Sequence, residues 1–195
     1  MTDKKRDIIM TIISFVFFPA TGAYLCADKL TQKDIDKDLS VMDMKLKVSF
    51  KYKTTSLIYH LLKNRYYRNI YYLRLGKKSL LCRWLLPKSK LFITATRFGG
   101  GIYPAHPFAT IVNAKSIGEN FVIRQCTTIG NKRDGAADER PVIGDNVNLG
   151  SNVVIIGNIT IGNNVNVGAG TVITKDVPSN CTVVGNPFRI IKKER

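Results

Sequence analysis

Acidic residues are scarce in this chain: 14 Asp and Glu stand against 30 Lys and Arg, a formal charge of +16 over 195 residues. Histidine is scarcer still, with only His60 and His106. The four cysteines, Cys26, Cys82, Cys126 and Cys181, form no CxxC pair, which with so few histidines argues against a structural zinc site. A chain of this size needs no disulfide framework, so reduced thiols in a cytosol are the expectation. Apolar residues make up 45% of the chain, which excludes both a disordered tail and a multi-span membrane protein.

Long apolar runs are also nearly absent. The one candidate, Ile8 to Leu25, follows Lys4, Lys5 and Arg6 and is diluted by Thr11, Ser14, Pro19, Thr21 and Gly22. Three readings stand: a helix docked on the protein or lying at an interface, which the dilution favours; a membrane anchor; or a cleaved signal.

Charge is unevenly divided. Residues 1–90 carry +12 and residues 91–195 carry +4. An excess of this size points to an acidic partner: nucleic acid, a membrane surface or a phosphate-bearing cofactor. Residues 1–90 read as an α-helical region, with Leu57, Ile58, Leu61, Leu62, Ile70, Leu73 and Leu75 at spacings of three and four. Gly76 is a helix stop, and Pro87 ends a short segment, Leu80–Leu86. Asp34, Asp36 and Asp38 are expected in a polar stretch between the apolar run and the next helix.

Residues 91–195 change period. Ile111, Ile117, Ile123 and Ile129 stand six residues apart, and after an interruption Ile143, Leu149, Ile155, Ile161, Val167 and Ile173 do the same. Glycine follows at 118, 130, 144, 150, 162 and 168, and Val147, Val153, Ile159, Val165 and Thr171 stand two residues before the later aliphatics. The reading is a parallel β-helix of hexapeptides, each hexad one short strand and one corner, with the lattice aliphatics pointing inward. An antiparallel β domain would repeat every 8–12 residues with alternation of period two, which does not fit. Ten hexads give roughly three coils, and Gly99–Ala105 is expected to begin one more. The interruption, residues 131–141, is polar and charged, as an inserted loop on a functional face would be.

These residues resemble the hexapeptide-repeat acyltransferases with left-handed β-helices. Within them the chain is most similar to the serine-acetyltransferase-like branch, which includes capsular polysaccharide O-acetyltransferases. The resemblance is carried by GGGIYPAHPFATIV (99–112), the hexads from 111 to 175 and GAGTVITKDVPSNCTVVGNPFRII (168–191), about half the chain, and more loosely by NRYYRNIYYLRLGKK (64–78). It implies a homotrimer with active sites between neighbouring prisms and acetyl-CoA as co-substrate; the reaction itself needs no metal, and its cytosolic cofactor makes a cytoplasmic location the expectation, with any bilayer contact at the inner face of the membrane.

Acetyl transfer from a thioester to a hydroxyl needs a base and donors for the tetrahedral oxyanion. The resemblance places the general base at His106, whereas His60, among Tyr59, Leu61 and Leu62, reads as structural. Leu91 stands where the resemblance calls for a carboxylate that orients the base; Glu119 and Asp138 are weak substitutes. Small residues suited to a pantetheine groove are Gly150, Ser151, Gly168, Ala169 and Gly170, while Thr174, Lys175 and Arg189 match positions near the CoA end. Acceptor-loop candidates are Asp138, Glu139 and Arg140. True serine acetyltransferases carry an acid where this chain has Ala105, and an Arg-His pair where it has Glu139 and Arg140. That departure favours a sugar or glycan acceptor over L-serine.

Rival readings are nucleic-acid binding through Tyr66, Tyr67, Tyr71 and Tyr72 interleaved with Arg65, Arg68 and Arg74, and a catalytically dead solenoid scaffold. No recognised nucleic-acid motif accompanies the first, and the retained His106 argues against the second.

Overall fold

The computed structural model describes residues 3–133 and 135–192. The chain divides at Ser89/Lys90 into a helical unit and a solenoid unit.

The helical unit holds α1 (Asp3–Val16), α2 (Phe18–Leu25), α3 (Lys29–Leu46), α4 (Lys53–Lys63) and α5 (Arg65–Leu75). The chain bends by 87° between α1 and α2, and among the described residues no single helix is long and apolar enough to cross a membrane. Asp28 caps α3 by accepting from the Thr31 amide at 2.9 Å, and Asn64 caps α5 by accepting from the Tyr66 and Tyr67 amides. The stretch bearing Asp34, Asp36 and Asp38 is therefore not a linker: it lies inside α3. Ile35, Leu39 and Met42, at helical spacing, are fully buried there. Asp38 is tolerated on that inner face because Arg74 of α5 meets it with two bonds, 2.7 and 3.0 Å long. The unit's core is completed by Leu57, Ile58, Leu61, Tyr67, Ile70 and Tyr71. The segment after Gly76 is a short 3₁₀ helix over Gly76–Leu81 rather than a new element at Leu80.

The solenoid unit is a parallel β-helix. Coil 1 contains β1 (Leu91–Thr94), β2 (Arg97–Phe98) and β3 (Tyr103–Ala105). Coil 2 contains β4 (Thr110–Asn113), β5 (Ser116–Ile117) and β6 (Val122–Arg124). Coil 3 contains β7 (Thr128–Gly130), β8 (Val142–Ile143) and β9 (Asn148–Leu149), and coil 4 contains β10 (Val154–Ile156), β11 (Thr160–Ile161) and β12 (Asn166–Val167). Coil 5 contains β13 (Val172–Ile173), a single bridge at Val177, and β14 (Cys181–Val184). From β1 to β10 each strand pairs with the strand three further on, and β12 pairs with β14, so three sheets form the prism: I from first strands, II from second strands and III from third strands. A final strand, β15 (Arg189–Lys192), turns back antiparallel on β14.

Among the described residues there are thus about five coils, more than the hexad count gives. Coil 1 escapes the count because Phe98 and Pro104 take the places of lattice aliphatics. The lattice also errs at Ile111, which is 51% exposed, whereas its neighbour Val112 is fully buried and pairs with Ile129. The first coils depart from the 18-residue period: Ile93 pairs with Val112, nineteen residues on, and Val112 with Ile129, seventeen on. A strict six-residue count backwards therefore lands one residue early. From Ile117 onward the inward column runs true, through Ile143 and Ile161 in sheet II and through Ile129, Ile155 and Ile173 in sheet I.

The corners explain the asparagines. Asn120, Asn146, Asn164 and Asn180 all have φ between 56 and 62° on the edge from sheet II to sheet III. Their amides form a ladder, each Nδ2 donating to the next Oδ1 at 2.8 to 2.9 Å. Asn tolerates left-handed backbone better than other residues with a side chain, and its stacked amide satisfies itself along the column.

Candidate functional site

The three edges of the prism sort the candidate residues. His106 follows β3 on the edge from sheet III to sheet I, the III–I edge. It is exposed, with φ 56°, and its carbonyl accepts from the Phe108 amide at 2.8 Å, so the chain turns sharply around it. Its ring makes no hydrogen bond to a described residue. Directly along the same edge, Gly150 and Ser151 follow β9, and Gly168 and Ala169 follow β12. The Gly170 amide donates to the Ser151 carbonyl at 2.9 Å, locking one coil to the next. Arg189 pairs with Val184 at the end of β14, so it too lies at this margin, exposed. Sheet spacing of about 4.8 Å puts His106 roughly 10 Å along the edge from Gly150, two coils away.

Small residues on this edge are a packing requirement. A Cβ on Gly150 would lie 2.5 Å from the Ala169 nitrogen, and one on Gly168 would lie 2.9 Å from Val184 Cγ1. At Gly150 and Gly168 the edge therefore carries no side chain, which suits close approach of a ligand.

Thr174 and Lys175 are not brought there. They follow β13 and stand exposed on the I–II edge, across sheet I from Gly150 and Gly168. The inserted loop, residues 131–141, leaves β7 and returns in β8, so Asp138, Glu139 and Arg140 share that second edge. Inside the loop Arg133 Nε donates to Glu139 Oε1 at 2.9 Å, and this bond holds the Glu139 carboxyl below the usual carboxylate range. Arg140 donates to Thr96 Oγ1 of coil 1 at 3.4 Å, which lays the end of the loop back on the I–II edge. Glu119 sits on the II–III edge, where its amide donates to Asp145 at 2.7 Å. Neither Glu119 nor Asp138 therefore shares an edge with His106, and Leu91 is buried.

Two neighbours of His106 were not singled out by sequence. Arg124 lies in register beneath Ala105 and donates to Asn148 Oδ1 at 2.8 Å and the Leu149 carbonyl at 2.6 Å, a cation fixed on the His106 margin. Phe108, exposed, stands two residues from His106. Registering coil 1 onto coil 2 would have found Arg124, but coil 1 carries no hexad signature.

His60 occupies a different setting. It is fully buried in α4, with Nε2 2.7 Å from Asp43 Oδ1, whose carboxylate also accepts from Ser56 Oγ. The tyrosine and arginine cluster offers no stacking platform either. Tyr67, Tyr71 and Tyr72 are buried, Arg68 donates to the Leu61 carbonyl, and Arg74 is held by Asp38. Among the described residues no His, Cys, Asp and Glu grouping could hold a metal ion.

Comparison with known proteins places this architecture. Residues 140–175 match the bacterial transferase hexapeptide family (six repeats). The chain is 41% identical over 101 residues to serine acetyltransferase 3, mitochondrial, of Arabidopsis thaliana, across 51% of this chain but only 26% of that protein. It is 41% identical over 130 residues to the putative colanic acid biosynthesis acetyltransferase WcaB of Escherichia coli (strain K12), across 58% of this chain and 78% of that protein. In structure it resembles the apoenzyme of soybean serine acetyltransferase, with TM-score 0.58, 30% identity, and 84% of this chain and 70% of that chain covered. With its repeat, its coils and a relative matched over most of that relative's length, the chain belongs to the hexapeptide-repeat acyltransferases.

Proposed function

We propose that this protein transfers an acetyl group from acetyl-CoA to a sugar hydroxyl in cell-surface polysaccharide synthesis, with His106 as general base. The observation that carries the proposal is the exposed His106 on the same edge as Gly150, Ser151, Gly168 and Ala169. The reaction needs a base, and a glycine-rich edge beside it lets the cofactor's pantetheine arm approach closely. As the acceptor oxygen attacks the thioester carbon, the His106 imidazole takes its proton. Collapse of the tetrahedral intermediate breaks the C–S bond, and the departing thiolate recovers the proton from the imidazolium. Arg189, at the end of the edge, would pair with the nucleotide phosphates.

Thr174, Lys175 and the acceptor loop lie across sheet I from His106. A site using both edges needs a second copy, whose I–II edge faces this chain's III–I edge. This arrangement supports the homotrimer that the resemblance implies.

Support for a sugar comes from the loop. A free amino acid presents an ammonium and a carboxylate, which need opposite charges. In this loop Arg133 and Glu139 engage each other, and Ala105 next to His106 offers no acid. A neutral hydroxyl acceptor requires neither. The match to the WcaB protein over 78% of its length supports the same choice. The second reading is serine O-acetylation, favoured by the serine acetyltransferase relatives. Release of CoA thiol, measured with L-serine, UDP-sugars and oligosaccharides in parallel, separates the two. Turnover with a sugar and none with L-serine is expected; the reverse would establish the second reading.

A further inference from the structure

The helical unit carries an apolar face that no described residue covers. On α1, Arg6 and Met10 are buried and Ile13 is half-buried, at helical spacing, so this is the face packed inward. The opposite face carries Ile8, Ile12 and Phe15 at spacings of four and three, with Val16 beside them, and there Ile12 is 64% and Phe15 81% exposed. A helix apolar on both faces belongs in contact with a second apolar medium.

Its surroundings are basic. The segment between α3 and α4 is tied to the start of α1, because Arg6 donates to the Ser49 carbonyl at 3.0 Å and the Lys51 amide donates to Asp7. That segment and its flanks expose Lys45, Lys47, Lys51 and Lys53, and Lys5 is exposed on α1 itself. Asp7 is the carboxylate of this patch, and it accepts from the Lys51 amide; others are engaged elsewhere, Asp36 by Tyr24, Asp34 and Asp38 by Arg74, Asp43 by His60 and Ser56, and Asp28 by its own helix end. Lys5, Lys45, Lys47, Lys51 and Lys53 thus stand exposed on and around the start of α1, as part of the +12 that residues 1–90 carry.

We infer that α1 docks the protein on an anionic phospholipid surface, lying in the plane of the interface with Ile8, Ile12 and Phe15 in the acyl boundary and the lysines on the headgroups. The 14 residues of α1 measure about 21 Å. That is short of the roughly 30 Å hydrocarbon core, and the 87° bend into α2 directs the chain away from a straight crossing.

The test is cosedimentation of the full chain with vesicles of equal parts phosphatidylcholine and phosphatidylglycerol, and with phosphatidylcholine alone. Binding to the anionic vesicles, weakened by salt, is expected. Ile12→Asp with Phe15→Asp, and separately Lys47→Glu with Lys51→Glu, should each weaken it roughly tenfold or more. Far-UV circular dichroism should show unchanged helix content. The lysine pair is wholly on the surface, so it keeps the test valid if the apolar pair disturbs folding. No binding by the wild type, or binding unaffected by the lysine pair, overturns the inference. So does wild-type self-association that Phe15→Asp abolishes without any vesicle binding, since a second copy would then cover the face.

Discussion

Gly150 lies directly against Ala169 of the next coil, so close that a Cβ on Gly150 would sit 2.5 Å from the Ala169 nitrogen. The neighbour is backbone, hydrogen-bonded into the same ladder through the Gly150 amide and the Val167 carbonyl at 2.8 Å, and it cannot step aside. Gly150→Ala should therefore destabilise the solenoid by roughly 1–3 kcal/mol. Gly130→Ala, where nothing lies within 4 Å of the added Cβ, should be close to neutral. Denaturant midpoints of the two variants check the contrast, and equal effects would contradict it.

The Arg74–Asp38 pair makes a different kind of demand. Asp38 is fully buried, and the guanidinium is its bidentate partner. Arg74→Met leaves that carboxylate without its counter-charge and should cost about 3–5 kcal/mol. Adding Asp38→Leu should recover much of the loss, because the apolar pair removes the orphaned charge. A double-mutant cycle by urea unfolding reads this directly, and additive losses would contradict it.

Alkaline pH should loosen the helical unit first. Burial, then the hydrogen bond to Asp36, pushes the Tyr24 phenol up from 10.0 to about 12, and burial pushes the Cys82 thiol up from 9.0 to about 11. Tyr67, Tyr71 and Tyr72 are raised by burial in the same direction. For a raised group the unfolded chain ionises first. Stability is full below the unfolded values and falls as pH rises through the folded ones. Denaturation midpoints should therefore decline from pH 9.0 upward and steepen between 10.0 and about 12. Ultraviolet titration of the folded protein should show delayed phenol ionisation. If every tyrosine ionised near 10.0 with helix content intact, the burial argument would fail.

The solenoid was readable because its constraint is periodic: each inward aliphatic and each corner recurs, so Ile143 to Ile173 announce themselves. The first coil was not, since Phe98 and Pro104 replace the repeat and spacings of nineteen and seventeen residues displace the register onto Val112. Edge assignment was within reach of arithmetic. Gly150 and Gly168 are 18 residues apart and so stack, whereas Thr174 is one hexad further and so belongs to the next edge. In the helical half, Asp38 looked like linker because its partner Arg74 is 36 residues away, and a long-range ion pair leaves no local pattern.

The Arg133–Glu139 pair should stabilise the inserted loop over a wide acid range. With the Glu139 carboxyl lowered by the Arg133 hydrogen bond, the pair persists above the ordinary carboxylate value and is lost only as pH falls through the lowered one. Amide protection across residues 131–141, taken relative to the intrinsic exchange rate at each pH, should hold until pH drops below the usual carboxylate range, and Arg133→Ala should lower protection already at neutral pH.

The central claim is that His106 is the base of an acetyl transfer. His106→Asn tests it most directly, because Asn accepts the left-handed φ of 56° at this corner but cannot take the acceptor's proton. With acetyl-CoA and the acceptor that the wild type uses, CoA release should fall by about 10²–10⁴-fold while the thermal midpoint stays unchanged. Equal consumption of acetyl-CoA by wild type and variant, with every acceptor tried, would contradict it.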